Sequence, residues 1–236
     1  MSAAKSTRLI GRDFLYSQIL DKIQYCEWEP GMPIKEADIC ALYGVSKTPV
    51  REALLLLSKE HYVDIYPQSG CYVSKIDIKR ISDLIYLRNS VEKRIISDLA
   101  KTKQTISPET EKSILLMEYA IKSQDWKECV KLDYAFHKSL FTLAEKECVW
   151  EIIEKNLPHW TRFRFFDTVV MDEYTKSPST FDEHRMIISY IAEGNTTQLK
   201  KLIDIHIDPN FKKTYKRKVL QNNYKFFENI EFIDHI

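Results

Sequence analysis

Residues 43–54 read YGVSKTPVREAL and lie between two stretches with helical apolar spacing. The downstream stretch, residues 48–59, places Val50, Ala53, Leu54 and Leu57 on one helix face. Gly44 stands where a tight turn between two helices needs a positive φ. Pro49 falls in the first turn of the second helix, where a missing backbone N–H costs little. The pattern predicts a helix-turn-helix.

The flanking segments extend this motif into a winged helix. Residues 12–27 carry apolar residues at a period near 3.6, and Glu29-Pro30-Gly31 ends that helix. After the helix-turn-helix, residues 62–66 alternate as a strand, residues 67–70 form a turn and residues 71–73 return as a second strand. Three helices followed by a β-hairpin are typical of a winged helix-turn-helix.

The remainder of the chain has a different character. From residue 77 to about residue 218 only helical spacing is found, and Asp77 is a suitable cap for the first of these helices. We therefore predict a mainly α protein, with a winged helix-turn-helix over residues 1–76, an all-α helical-bundle sensor domain over residues 77–218 and a tail over residues 219–236. The stretch 211–218 carries five Lys and Arg residues. It is either a solvated helix end or a second element that contacts DNA or a dimer partner.

Composition excludes several classes of protein. Only five glycines among 236 residues argue against a many-stranded β protein. No apolar run is long enough to span a membrane, and residues 1–13 lack the apolar core of a signal peptide. The five cysteines are scattered without a Cys-x-x-Cys motif, which indicates reduced thiols. We expect a cytoplasmic protein with no membrane partner.

Bulk charge does not indicate a nucleic-acid partner. The net charge is +1, and residues 1–76 contain nine basic and nine acidic side chains, so a DNA-binding face has to be local. The start of the second motif helix offers one. Ser46 can cap this helix, Arg51 can pair with a guanine, and Lys47 and Thr48 can reach phosphates or bases.

The N-terminal segment resembles the GntR family of bacterial regulators. The match comprises Pro30-Gly31, the stretch YGVSKTPVREAL and Ser69-Gly70-x-x-Val73. The resemblance implies binding to a double-stranded DNA operator, with Gly70 at the tip of the wing. Three positions depart from the family pattern. Lys47 replaces the usual arginine, His61 stands where glycine commonly ends the recognition helix, and Ala37 occupies a place where some members carry a DNA-contacting arginine.

Polar residues interrupt the apolar stripes of the helical region. Asp133 and His137 are four residues apart and share the face of Leu140, while His184 and His206 interrupt two later stripes. Burying these groups is costly unless they are paired or bound to metal. Three imidazole nitrogens and one carboxylate oxygen suit a divalent transition metal such as Zn, Ni or Mn.

Arg88 interrupts the stripe of another helix. The apolar positions of residues 81–99 include Ile81, Leu84 and Ile95, and Arg88 falls on the same face. A buried guanidinium needs an anion. Its partner is either Glu92, one helical turn away, or the carboxylate of a bound ligand.

The order Asp-x-x-x-His … His … His resembles the ligand-binding domain of the FadR-type branch of the GntR family, called the FCD domain. The resemblance implies a metal held by Asp133, His137, His184 and His206. In the motif Leu87-Arg88-x-x-x-Glu92 the arginine would face the effector. Residues 144–148 lack the asparagine often found there. The apolar period does not decide whether Arg162 and Arg164 face this pocket or the surface.

These features together predict a homodimeric transcription regulator. A small carboxylate effector would bind the metal and Arg88 and change operator affinity, most simply by relieving repression. One alternative is the same regulator with a metal-free pocket, in which the polar residues bind an acid directly. Another is a metal-dependent enzyme, although no separate general base or nucleophile is found.

Overall fold

The computed structural model describes residues 11–166, 180–207 and 223–235. The chain divides into two compact units, Met1–Ile76 and Asp77–Ile236. The division falls at the residue where the sequence pattern changes from a winged helix to helical spacing alone. The basic stretch 211–218 lies outside the described residues.

The first unit is a winged helix-turn-helix. Its helices are α1 (Arg12–Gln24), α2 (Glu36–Tyr43) and α3 (Lys47–Lys59). Its strands are β1 (Pro33–Ile34), β2 (Val63–Tyr66) and β3 (Gly70–Val73), in the antiparallel order β1-β3-β2. The hairpin of β2 and β3 was predicted. The sequence gives no sign of β1, because two residues are too few to show an alternating pattern.

Apolar contacts between α1 and α3 form the core of this unit. Leu15, Ile19 and Ile23 of α1 and Val50 and Leu57 of α3 are all 0% exposed. Gly44 ends α2 in the left-handed conformation, with φ +66°. A side chain would be strained at this φ, so the prediction of a glycine turn is confirmed.

In its described residues, the second unit is made almost entirely of helices. Its described helices are α4 (Ile78–Lys101), α5 (Pro108–Lys122), α6 (Trp126–Leu143), α7 (Glu147–Glu154), α8 (Leu157–Phe165), α9 (Thr180–Glu193) and α10 (Thr196–Ile207). As predicted, Asp77 caps α4, and its side chain accepts a hydrogen bond from the backbone N–H of Arg80 at 3.3 Å.

The last described residues do not form a separate tail. They contain a 3-10 turn (Tyr224–Phe226), strand β5 (Phe227–Glu228), which pairs with β4 (Ile76–Asp77), and a second 3-10 segment (Ile230–His235). Asn229 donates a hydrogen bond to Oδ1 of Asp77 at 2.9 Å. Phe227 is buried, with its ring centroid 5.3 Å from that of Phe166. The boundary predicted at residue 219 is therefore wrong for this segment, since its aromatic side chains add to the core of the second unit.

In the part of the chain that the structure describes, no helix has both the length and the apolar character needed to cross a membrane.

His61 generates a prediction about stability. It follows the C-terminal end of α3, is exposed and has φ +63°, a conformation that costs a residue with a Cβ about 1 kcal/mol. We expect His61→Gly to stabilise the first unit by about 1 kcal/mol, measured by thermal unfolding. His61→Ala, which keeps the Cβ, is the control and should give no gain. Equal stability of the glycine and alanine variants would contradict the assignment.

Candidate functional site

The predicted DNA-contacting residues lie together at the start of α3. Ser46, Lys47, Thr48 and Arg51 are all exposed. Ser46 occupies the N-cap position with extended backbone angles, φ −75° and ψ 169°, but its side chain makes no capping hydrogen bond. Ser46 is thus the N-cap residue, as expected, but its hydroxyl group does not make the expected capping hydrogen bond.

Arg51 has a partner that the sequence did not indicate. Its Nε donates to both carboxylate oxygens of Glu36 in α2, at 3.0 Å and 2.9 Å. The hydrogen bond to Glu36 raises the pKa of the Arg51 guanidinium. A contact between residues in different helices leaves no periodic signal in the sequence, which is why the pair was not predicted.

The wing places Gly70 at the first residue of β3. Its φ is +108°, and a Cβ at this position would lie 3.8 Å from the ring of Tyr72. This φ favours glycine whatever space is available. The rings of Tyr66 and Tyr72 lie edge to face on the hairpin, with centroids 6.0 Å apart.

Three histidines from three helices meet inside the second unit. Nε2 of His206 in α10 lies 3.2 Å from Nε2 of His184 in α9 and 3.2 Å from Nε2 of His137 in α6. One ligand atom from each histidine lies within 4.8 Å of the others. The side chains of His137, His184 and His206 are 2%, 0% and 3% exposed. The structure therefore brings together the histidines that the sequence singled out.

Asp133 completes the cluster from one turn before His137. Its Oδ1 lies 3.5 Å from Nε2 of His184 and 3.9 Å from Nε2 of His137. Its Oδ2 accepts a hydrogen bond from Nη1 of Arg164 at 2.9 Å. Among the described residues, Oδ1 of Asp133 is buried without a hydrogen-bond partner. The carboxylate thus presents one unsatisfied oxygen to the histidines.

Two further carboxylates lie behind the histidines. Glu183 contacts Nδ1 of His206 through Oε2 at 2.7 Å. Oε2 of Glu92, in α4, lies 2.8 Å from Nδ1 of His137. The hydrogen bond between Glu183 and Nδ1 of His206 favours the tautomer that carries its proton there and leaves Nε2 with a free lone pair. The contact of Glu92 with His137 has the distance of a hydrogen bond but not its geometry.

Arg88 is linked to this cluster through Glu92. Its Nε donates to Oε1 of Glu92 at 2.6 Å, and the two side chains are 3% and 0% exposed. Its Cζ lies 5.7 Å from the centroid of the Trp160 ring. The internal pair that the sequence left open as an alternative is therefore present. Since Glu92 also faces His137, it joins Arg88 to the histidine cluster.

The electrostatics of the cluster favour the ionised forms of Glu92 and Asp133, and burial disfavours the charged forms of His184 and His206. Burial raises the pKa of Glu92, but the charges of Arg88 and His137 outweigh burial and bring this pKa to about 2. Burial likewise opposes ionisation of Asp133, yet Arg164 and the histidines hold its pKa well below the ordinary value. Burial, together with the neighbouring His206, lowers the pKa of His184. Burial also lowers the pKa of His206, and its contact with Glu183 only partly offsets this effect.

These residues fit a divalent transition metal. If His206 is neutral and its Nδ1 donates to Glu183, then Nε2 has one lone pair and two nitrogen neighbours at 3.2 Å. One hydrogen bond can satisfy one of these contacts and leaves the other unfavourable. A cation among the three Nε2 atoms and Oδ1 of Asp133 would satisfy all of them. Nitrogen and carboxylate ligands of this kind suit Zn, Ni or Mn.

The helical stripes predicted from the sequence were right for the polar residues and partly wrong for their neighbours. In α6 the buried face also includes Leu132 and Phe136, and the Phe136 ring stacks on His184 with centroids 3.9 Å apart. In α9, helical spacing of four from His184 points to Ile188, whereas the structure buries Ile187 and leaves Ile188 half-buried. A shift of one residue is within the width of a helical apolar stripe, so spacing alone cannot resolve it.

Two protein-family models match this chain. A model of bacterial regulatory proteins of the gntR family matches residues 12–73, and a model of the FCD domain matches residues 83–209. The chain belongs to the GntR family. Its first unit is the helix-turn-helix domain of that family, and the FCD domain accounts for most of the second unit.

Several relatives cover nearly the whole chain. An uncharacterised HTH-type transcriptional regulator from an unstable DNA locus of Streptomyces ambofaciens is 29% identical over 86% of this chain and 85% of its own length. The HTH-type transcriptional repressor RspR of Escherichia coli is 23% identical over 90% of this chain and 92% of its own. A GntR regulator from Rhodococcus shares the fold, with a TM-score of 0.69 and 22% identity, over 89% of this chain and 98% of its own.

These matches argue against the alternative of a metal-dependent enzyme. The family and the named relatives are transcriptional regulators, so this chain is a GntR-type transcriptional regulator with an effector-binding domain and not an enzyme.

Proposed function

We propose that the protein is a homodimeric cytoplasmic repressor whose affinity for operator DNA is controlled by a small carboxylate bound at a metal in the second unit. The observation that carries this proposal is the meeting of three histidine Nε2 atoms and the unsatisfied Oδ1 of Asp133 in a buried site. The proposal of repression draws on the relative RspR, which is named a repressor.

DNA binding would use the exposed start of α3. Lys47 and Thr48 would contact phosphates or bases, and Arg51 would read a guanine in the major groove. Ser46 and the N-terminal N–H groups of α3 would meet a phosphate, while Gly70 would allow the wing to approach the DNA backbone. Two copies of this unit in a dimer would read two half-sites related by symmetry.

The metal would be held by Asp133, His137, His184 and His206. When bound, it supplies a positive centre that polarises and binds anionic oxygen ligands. Glu183 would orient His206 through its Nδ1 atom, as carboxylates commonly do behind metal-bound histidines. Glu92 lies beside Nδ1 of His137 and could take the same role once a metal holds Nε2. Phe136 holds the ring of His184 by stacking.

The charges around the site favour an anionic effector once a divalent ion is present. Arg88 and Arg164 carry positive charge, while Glu92, Asp133 and Glu183 carry negative charge. The five groups together have one net negative charge, which a divalent ion reverses to one net positive charge. Because the charge is buried, a carboxylate ligand gains more from this field than it would at the surface. Arg88 lies beside the metal ligands and would contribute a charged hydrogen bond.

The proposal predicts metal in the purified protein. We expect about one transition-metal ion per chain after purification without chelators, measured by mass spectrometry. His184→Ala, and the double variant His137→Ala/His206→Ala, should lose the metal and unfold at a lower temperature, because metal binding stabilises the folded state. His61→Ala, which removes an exposed histidine of the first unit, should keep it. Full metal content in His184→Ala would refute that ligand, and metal-free wild-type protein would favour the metal-free pocket.

The assignment of α3 as the recognition helix is tested by Arg51→Ala. An operator is first selected from a random pool of double-stranded DNA with the wild-type protein. Loss of a guanine contact should weaken operator binding roughly 10-fold or more per half-site, while the far-ultraviolet circular dichroism spectrum stays unchanged. Fluorescence anisotropy with labelled duplex at fixed salt measures the affinity. Unchanged operator affinity would contradict the assignment.

A further inference from the structure

The pair of Arg51 and Glu36 puts a carboxylate beside the proposed DNA-reading group. Arg51 lies one turn into α3, and Glu36 is the first residue of α2. Both oxygens of Glu36 accept from Nε of Arg51, at 3.0 Å and 2.9 Å. The side chains remain 60% and 30% exposed. The contact therefore joins the two helices of the motif on a face open to solvent.

Folding stability does not explain this pair. Exposed ion pairs contribute little to stability, because water screens the charges and two long side chains lose freedom when they pair. The contact instead restricts the positions that the guanidinium can take. An unpaired exposed arginine samples many rotamers, whereas Arg51 is held by a carboxylate that belongs to another helix.

The atoms used in the pair matter for DNA reading. Glu36 engages Nε, whereas a guanine is read through a fork of two N–H donors placed on its O6 and N7 atoms. The terminal nitrogens of Arg51 provide two such donors. The same guanidinium can thus donate its Nε–H to Glu36 and contact a base through its terminal nitrogens.

The carboxylate also has a cost at a DNA interface. Phosphates repel a negative side chain, so Glu36 weakens every complex in which Arg51 approaches only the DNA backbone. A guanine contact offsets this repulsion. Glu36 has already oriented the arginine that makes this contact, so less side-chain freedom is lost when the contact forms. Glu36 should therefore lower affinity for random DNA and raise affinity for the operator.

We propose that Glu36 is a positioning residue that sets sequence discrimination by holding Arg51 for base reading. This inference rests on the proposed role of Arg51 in DNA recognition. It assigns a distinct function to α2, whose first residue would decide how strictly α3 reads its site.

The test compares Glu36→Gln with Asp38→Asn in the full-length chain. Both variants remove one negative charge from the first turn of α2, and Asp38 is exposed, so it serves as a matched control. Affinities are measured for the operator selected with wild-type protein and for a random-sequence duplex of equal length, at one salt concentration. For Glu36→Gln we expect the ratio of operator to random affinity to fall at least about 5-fold, with random-duplex binding unchanged or tighter. Asp38→Asn should keep the wild-type ratio.

Equal weakening on both duplexes, or an unchanged ratio in Glu36→Gln, would overturn the inference. Thermal unfolding of both variants checks that the unit is folded, and Glu36→Asp provides a second variant that keeps the charge and shortens the reach.

The Arg51→Ala background separates this inference from the proposed function. If Glu36 acts through Arg51, Glu36→Gln should have no further effect on the ratio once Arg51 is alanine. A further loss in this background would overturn the inference. If Arg51→Ala alone leaves operator binding unchanged, the recognition-helix assignment itself fails. If Arg51→Ala removes discrimination but Glu36→Gln does not, only the role of Glu36 fails.

Discussion

The buried carboxylate of Asp133 constrains how the helices of the second unit pack, because one of its oxygens binds an arginine and the other faces two histidines. Oδ2 is bound by Arg164, while Oδ1 faces His184 and His137 without accepting a hydrogen bond from any described residue. A buried carboxylate oxygen without a hydrogen-bond partner is costly, and so is the close approach of histidine lone pairs. Helices α4, α6, α8, α9 and α10 each place a charged or ligating side chain in this region. The packing of these five helices therefore depends on the same charged and ligating side chains that would bind a metal and an anionic ligand.

The first unit exposes its candidate functional side chains to solvent, whereas the second unit buries them. The winged helix encloses an apolar core made largely by α1 and α3 and leaves Arg51 and Lys47 outside, where they can meet a large, charged partner. The helical unit instead encloses its functional groups, where low solvent access strengthens charge interactions. This contrast suits a regulator in which one unit reads DNA and the other binds a small molecule. Glu92 shows the consequence within the second unit, because one carboxylate contacts both Arg88 and His137.

Much of this arrangement could be predicted from local pattern. Gly44 indicated its own left-handed turn, Asp77 its helix cap, and Asp133, His137, His184 and His206 stood out as polar interruptions of apolar stripes. The contacts that could not be predicted join distant parts of the chain. Examples are Glu36 with Arg51, Glu183 with His206 and Asn229 with Asp77. Spacing reports which face of a helix is buried and does not report which helices face each other, so such partners emerge only from the fold.

The central claim is that occupancy of the histidine site changes affinity for DNA. The most direct measurement is the operator affinity of metal-loaded and metal-stripped protein, each titrated with malonate, tartrate and citrate as carboxylate probes. The account predicts that metal with at least one of these acids shifts the dissociation constant about 5-fold or more. The shift should be absent in the stripped protein and in His184→Ala. Identical operator affinity for loaded and stripped protein, with and without each acid, would contradict the account.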